Sequence, residues 1–205
     1  MVTKPNRDST DPLYRARERP ELVDVPTLPF VQLDGQGDPG GEPFSLVIQA
    51  LYAFSYAVKM SYRSKEVPTG YEAYRVFPLE GVWDLVDPGK GLQVKDNLRY
   101  TLMIRQPAFL TSALFDRFRE EVRLRKPLLP TDRLRFVCEA EGLCCQMLHV
   151  GPYADEPRTM DAMESFCRQE GVRRADRRHR EIYLSDPGRT APDRIRTILR
   201  FRVIR

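Results

Sequence analysis

The sequence runs twice through one pattern, strand, helix, strand, strand, and this repeat constrains the fold more than any other feature. In the first half, Leu28 to Gln36 reads as a strand ending in a turn punctuated by Gly35, Gly37, Pro39, Gly40 and Gly41. Phe44 to Arg63 follows, with apolar residues at 44, 47, 48, 51, 54, 57, 58 and 60, the spacing of an amphipathic helix. Residues 74–85 and 98–105 then read as strands. In the second half, residues 142–150 read as a strand and 155–170 as a helix, opened by Ala-Asp-Glu-Pro and closed before Gly171. Residues 180–184 and 197–203 are the closing strands.

Between the halves, Leu110 to Lys126 is an amphipathic helix with a charged outer face, stopped by Pro127 and Pro130. Residues 133–139 add a strand, and Glu141-Gly142 suits the turn into the next. The expected fold is α+β: two similar antiparallel sheets backed by helices, with a central cleft between pseudo-repeats at about 28–107 and 133–205. Residues 1–20, rich in Lys, Arg, Asp and Pro, are expected to be a flexible segment ahead of one domain at 21–205. Residues 21–26 are expected to be an extra edge strand.

Each repeat places one glutamate in a strand-like segment. Glu80 lies in Phe-Pro-Leu-Glu-Gly-Val-Trp (77–83), and Glu181 in His-Arg-Glu-Ile-Tyr-Leu-Ser-Asp-Pro (179–187). Burying an unpaired charge is costly, so such a carboxylate implies either a charged partner or a functional pocket. Glu181 and Tyr183 share one face of their strand, while Ile182 and Leu184 share the other. If the apolar pair packs on helices, Glu181 and Tyr183 face the cleft. Tyr52 and Tyr56 share a helical face, and Trp83 follows Glu80 by three positions. Taken singly, each aromatic suits a core. Taken with two repeat-related acids, they describe a cleft for a flat, apolar, cationic or electrophilic ligand.

Several classes of chemistry lack their signatures. A net charge of +4, from 33 basic and 29 acidic residues, is a mixed surface and not a nucleic-acid profile. Arg173, Arg174, Arg177, Arg178, His179 and Arg180 form one basic cluster, either a phosphate patch or a solvated loop. Asp176 interrupts it, and no aromatic is interleaved to stack bases. Cys138, Cys144, Cys145 and Cys167 form no C-x-x-C pair, so no metal is assigned and the thiols read as reduced core residues. Cys145 facing His149 stays open as a Cys–His pair. No phosphate loop, dinucleotide fingerprint or G-x-S-x-G elbow occurs, and no cofactor is expected. No apolar run approaches the roughly 18 residues of a membrane span. The first 25 residues lack a signal-peptide core, so the expected location is cytoplasmic.

Five motifs in order carry a resemblance: Asp34-Gly-x-Gly-Asp-Pro, Pro78-Leu-Glu-Gly-Val-Trp, Leu102-Met-Ile-Arg-Gln-Pro, His149-Val-Gly-Pro-Tyr and Glu181-Ile-Tyr-Leu-Ser-Asp-Pro. From about residue 21 to the C-terminus the chain resembles the GyrI-like small-molecule-binding family. The ending from Thr190 to Arg200 is similar to its stand-alone members. The resemblance implies a duplicated strand-helix-strand-strand (SHS2) fold with a ligand cleft between pseudo-symmetric halves. Relatives include drug-binding domains of multidrug-responsive activators, whose central glutamate meets cationic aromatic drugs; Glu181 matches it by motif. This sequence shows no helix-turn-helix segment, which argues against a direct regulator.

The stand-alone subset hydrolyses the cyclopropane of spirocyclopropyl-cyclohexadienone DNA alkylators of the yatakemycin and duocarmycin type. The resemblance therefore implies a hydrolase that gives antibiotic resistance by self-protection or detoxification. On that reading Glu181 is the general base. Glu80 is a second acid, or a structural partner of an arginine such as Arg105. Tyr56, Trp83, Tyr153 and Tyr183 are the ligand-contacting aromatics, with Tyr153 alternatively a structural tyrosine at a strand end. Two other classes remain: a binder that sequesters drug without turnover, and a topoisomerase-interacting protein using the loop 173–180.

Overall fold

Residues 11–90 and 94–205 are described by a computed structural model of the chain. In chain order the elements are β1 (Glu21–Val25), β2 (Leu28–Gln36), α1 (Glu42–Met60), β3 (Leu79–Leu85), β4 (Leu98–Arg105), α2 (Ser112–Arg125), β5 (Arg135–Glu139), β6 (Gly142–Val150), α3 (Glu156–Gln169), β7 (Arg173–Arg174), β8 (His179–Tyr183) and β9 (Arg196–Ile204). The fold is α+β, with antiparallel strands backed by helices. The chain divides into two compact units, one of residues 28–77 and 85–139, the other of residues 11–27, 78–84 and 140–205. Residues 1–10 of the expected flexible segment lie outside the described residues. Within residues 11–20, a 3-10 turn at Pro12–Tyr14 buries Tyr14.

In the first unit β2 runs between β4 and β5, antiparallel to both. Val31 pairs with Ile104 on one side and Phe136 on the other. The apolar stripe of α1 buries Val47, Leu51, Phe54 and Val58, as the helical spacing predicts. The α2 stripe buries Phe115, Phe118 and Val122, and the Thr111 hydroxyl caps its N-terminus by accepting from the Leu114 N–H at 3.3 Å. The Phe115 ring lies 5.2 Å from Phe54 and 5.8 Å from Phe136, so it joins both helices to the strands.

The second unit is an antiparallel sheet in the order β1-β6-β9-β8-β3, with β7 added at the end of β9. The expected edge strand at 21–26 is β1, at the sheet margin on β6. The strand read from residue 74 begins only at Leu79; Pro78 has no N–H to offer a ladder. The two-residue β7 sits inside the basic stretch, whose composition gave no strand signal. Gly171, at φ +69°, turns the chain out of α3, a conformation side-chain-bearing residues adopt at a cost.

α3 packs against β6, β7 and β9. Their shared core holds Cys145, Met163, Cys167, Val172, Leu199, Phe201 and Val203. Register then sorts the sheet into two faces, because side chains alternate and paired residues point the same way. Gly81, Glu181 and Leu199 align across β3, β8 and β9, so Glu181 lies on the α3 face. Val82, Arg180 and Arg200 align on the opposite face, as do Glu80, Ile182 and Ile198.

Candidate functional site

The α3 face of β8 carries the chemistry. His179, Glu181 and Tyr183 alternate along the strand, all pointing to one side. The Glu181 carboxylate takes His179 Nε2 at 3.0 Å. It also hydrogen-bonds the Tyr183 hydroxyl. Trp83, on β3 opposite His179, donates Nε1–H to the same hydroxyl at 2.9 Å. The result is a polar chain from the indole through the phenol to the carboxylate. Burial, then the Glu181 charge, pushes the Tyr183 phenol well above its ordinary range, so it remains a donor.

Two residues from the start of α3 complete the group. Tyr153 precedes the helix and meets Tyr183 edge to face, with centroids 6.2 Å apart at 90°. It is 39% exposed, so its ring is open to solvent while it packs on the site. Burial and the Glu181 charge push its phenol up to about 12. Glu156 is the first residue of α3, and its Oε1 is buried without a hydrogen-bond partner. One donor atom each from Glu156, His179 and Glu181 lies within 4.8 Å of the other two. Burial first, and the Glu181 charge second, hold the Glu156 carboxyl well above the usual carboxylate range. Two carboxyls beside one histidine are also a donor set that a divalent cation accepts.

Glu80 is built into a different environment. On the opposite face its carboxylate accepts from Arg180 Nη1 at 2.7 Å and from the Tyr14 hydroxyl at 2.7 Å. Arg180 also pairs with Glu141 at 3.0 Å. Arg200 pairs with Glu141 at 3.3 Å and donates to Gln146 at 2.8 Å and to the Leu13 carbonyl at 2.8 Å. Of the two roles open to Glu80 in the sequence, this geometry is that of an arginine's structural partner, with Arg180 in the place given to Arg105. Arg105 instead lies over the Phe77 ring, at 4.7 Å.

The remaining sequence candidates fall elsewhere. Tyr56 is 50% exposed on α1 in the first unit, beside Tyr52 at 6.4 Å, with the Lys59 ammonium 5.6 Å from its ring. Cys145 is buried in the α3 core, where burial and neighbouring Cys167 hold its thiol far above its ordinary range. His149 meets the Thr159 hydroxyl at 2.9 Å and the Pro152 carbonyl at 3.1 Å, so both ring nitrogens are engaged away from Cys145. The basic cluster is largely paired within its own surroundings: Arg174 with Glu164, Arg177 with Asp84, Arg178 with Asp176 and Arg180 with Glu80.

Sequence reasoning missed Glu156 and His179. An acidic residue in a helix's first turn is ordinary, since it complements the helix dipole, and Ala-Asp-Glu-Pro was consumed as a helix-start signal. His179 was absorbed into the basic run. The available signal was the alternation His179, Glu181, Tyr183, which extends the functional face by one step.

The sequence matches the GyrI-like small molecule binding domain over residues 18–203. An uncharacterized conserved protein from Listeria innocua is 38% identical, with a TM-score of 0.89 over 94% of this chain and 96% of that one. A crystal structure described as that of a hydrolase from Listeria innocua is likewise 38% identical, with a TM-score of 0.88 over 94% and 95% of the two chains. Another described as a hydrolase from the same organism is 37% identical, with a TM-score of 0.86 over the same shares. Among curated proteins none matches the chain. No helix among the described residues is long and apolar enough to cross a membrane.

Proposed function

Because this chain belongs to the GyrI-like small-molecule-binding family, we propose that it binds flat aromatic ligands and hydrolyses the cyclopropane of spirocyclopropyl-cyclohexadienone alkylators of the yatakemycin and duocarmycin type. The reading makes the protein a detoxification or self-resistance hydrolase. Its general support is the hydrolase description of two relatives at 38% and 37% identity. The observation that carries it is the Glu181 carboxylate, held by His179 and Tyr183 beside the rings of Trp83 and Tyr153.

The roles follow from that arrangement. Glu181 takes a proton from water as the water oxygen forms a bond to the cyclopropane methylene. The bond from that methylene to the spiro carbon breaks, and its electron pair flows through the dienone to the carbonyl oxygen, giving a phenolate. The proton then passes from Glu181 to the phenolate, so one water is added and the enzyme is restored. Tyr153, protonated at neutral pH and partly open to solvent, is the hydroxyl that meets the developing phenolate. Trp83 and Tyr183 wall the flat substrate. His179 fixes the orientation of the base, and Glu80 acts structurally.

Mass spectrometry after incubating a cyclopropane-bearing alkylator with catalytic protein, beside Glu181→Gln, tests this. The expected result is a water adduct over many turnovers, lost in the variant. Bound but unchanged compound would assign the protein to drug sequestration instead.

A further inference from the structure

We propose that Glu156 and Glu181 act as a carboxyl pair that shares a single proton and together holds the attacking water; this rests on the hydrolase reading for its substrate, but not for its existence. The argument is geometric. The two carboxyls come from different elements, the first turn of α3 and the middle of β8, and their donor atoms lie within 4.8 Å. Glu156 Oε1 is buried and has no partner, an arrangement a charged carboxylate does not tolerate but a proton or a water relieves. Two neighbouring carboxyls, one with a buried oxygen that nothing contacts, resist double ionisation, and a proton retained by one of them relieves both the repulsion and the orphaned oxygen.

Among the described residues, the titratable neighbours bring no cation to Glu156 Oε1. They are Glu181, His179 and Tyr183 on β8, Tyr153 and Asp155 in the turn before α3, Asp186 after β8, and His149 on β6. Of the two histidines, His149 is engaged with Thr159 and Pro152, and His179, through Nε2, with Glu181. The upward displacement of Glu156 agrees with a retained proton.

In the reaction the pair starts with one proton and one charge. The attacking water delivers a second proton as its oxygen bonds the methylene, leaving both carboxyls neutral. One proton then leaves to the phenolate. Glu156 thereby positions the water and keeps Glu181 a base, and neither carboxyl is consumed.

The test is a 13C titration of the side-chain carboxyls in glutamate-labelled protein, with Glu156→Gln and Glu181→Gln assigning the two signals. The pair predicts one carboxyl still protonated at pH 7, and a Glu156 signal that moves toward the ordinary range in Glu181→Gln. Two fully ionised carboxyls at pH 7 in the wild-type protein would overturn it, with no variant needed. So would displacement of both signals by stoichiometric Mg2+, Mn2+ or Zn2+, which would give the cluster to a cation. The kinetic readout is the pH profile of kcat/KM for alkylator hydrolysis. It should fall on an acid and an alkaline limb, and Glu156→Gln should abolish the alkaline limb. A shared proton without turnover would sustain the pair and refute the hydrolase reading. Turnover with both carboxyls ionised would do the reverse.

Discussion

Glu80 and Glu181 stand one register step apart on adjacent strands of one sheet, and they have opposite surroundings. On the Glu80 face, two carboxylates, Glu80 and Glu141, interleave with two guanidiniums, Arg180 and Arg200. Charge is balanced, and Tyr14 and Gln146 take further hydrogen bonds. On the α3 face, two carboxyls crowd one histidine, and one oxygen has no partner. A buried ion pair that closes on itself specifies structure. An acid in excess over its cations has a proton or a ligand still to accommodate. A single residue's shift along β3 would turn Glu80 onto the α3 face, which is why register and not composition decides where the chemistry lies.

Glu181→Gln gives the largest effect and separates the faces most sharply. Turnover of the alkylator should fall about 10²–10⁴-fold, the usual contribution of a general base. The denaturant midpoint should stay near that of the wild type, since an isosteric amide keeps the packing and removes the one charge of the pair. A loss of folding comparable to the loss of activity would mean that Glu181 is structural, and the comparison would collapse.

Glu80→Ala comes next and should behave conversely. It leaves Arg180 buried with half its carboxylate partners and should cost roughly 3–5 kcal/mol in urea unfolding. Variant protein that remains folded at low temperature should still bind ligand. If it unfolds at the wild-type midpoint, the paired face contributes nothing to stability.

The pH dependence of folding sharpens the contrast from the other face. Glu156 has a folded-state pKa raised above its unfolded value, by burial and then by Glu181. The folded state therefore binds the extra proton, and its contribution to stability is complete below the unfolded carboxylate range. Stability is lost as pH rises from there through the folded value, with a slope of at most about 1.4 kcal/mol per pH unit. Glu156→Gln cannot ionise and should flatten this slope, so that the variant gains on the wild type in alkali. Urea unfolding between pH 5 and 9 measures it; parallel curves would show that Glu156 ionises as freely folded as unfolded.

Much of the fold was legible because its signals are local. The stripe of α1 at 47, 51, 54 and 58 and the Phe115, Phe118, Val122 stripe of α2 each follow a helical period that no neighbour needs to supply. That Glu181 and Tyr183 share one face was legible for the same reason, by alternation along one strand; the expectation that Ile182 and Leu184 take the helix side is overturned, because Glu181 aligns with Leu199 on the α3 face. The partners were not. Arg180 is 100 residues from Glu80 in sequence, and only the β3–β8 pairing brings them together. Glu156 reads as a routine helix-start acid until β8 is placed beneath it. Sequence patterns indicate which way a side chain points, but charge balance depends on what other elements bring to the same place.

The smallest expected effect tests how far the open face extends. Tyr183→Phe removes the acceptor of Trp83 Nε1 and one donor to Glu181. The cost in stability should be about 1 kcal/mol, the net contribution of a typical hydrogen bond. Trp83 is the sole tryptophan, so its emission reports this contact without interference. In the variant the emission should shift as the indole N–H loses its partner, and turnover should fall modestly because the base is less firmly held. Unchanged emission and unchanged turnover together would restrict the site to Glu156, His179 and Glu181, leaving the indole–phenol chain as packing alone. A shifted emission with normal turnover would locate the chain in structure and place the water-activating step wholly on the carboxyl pair.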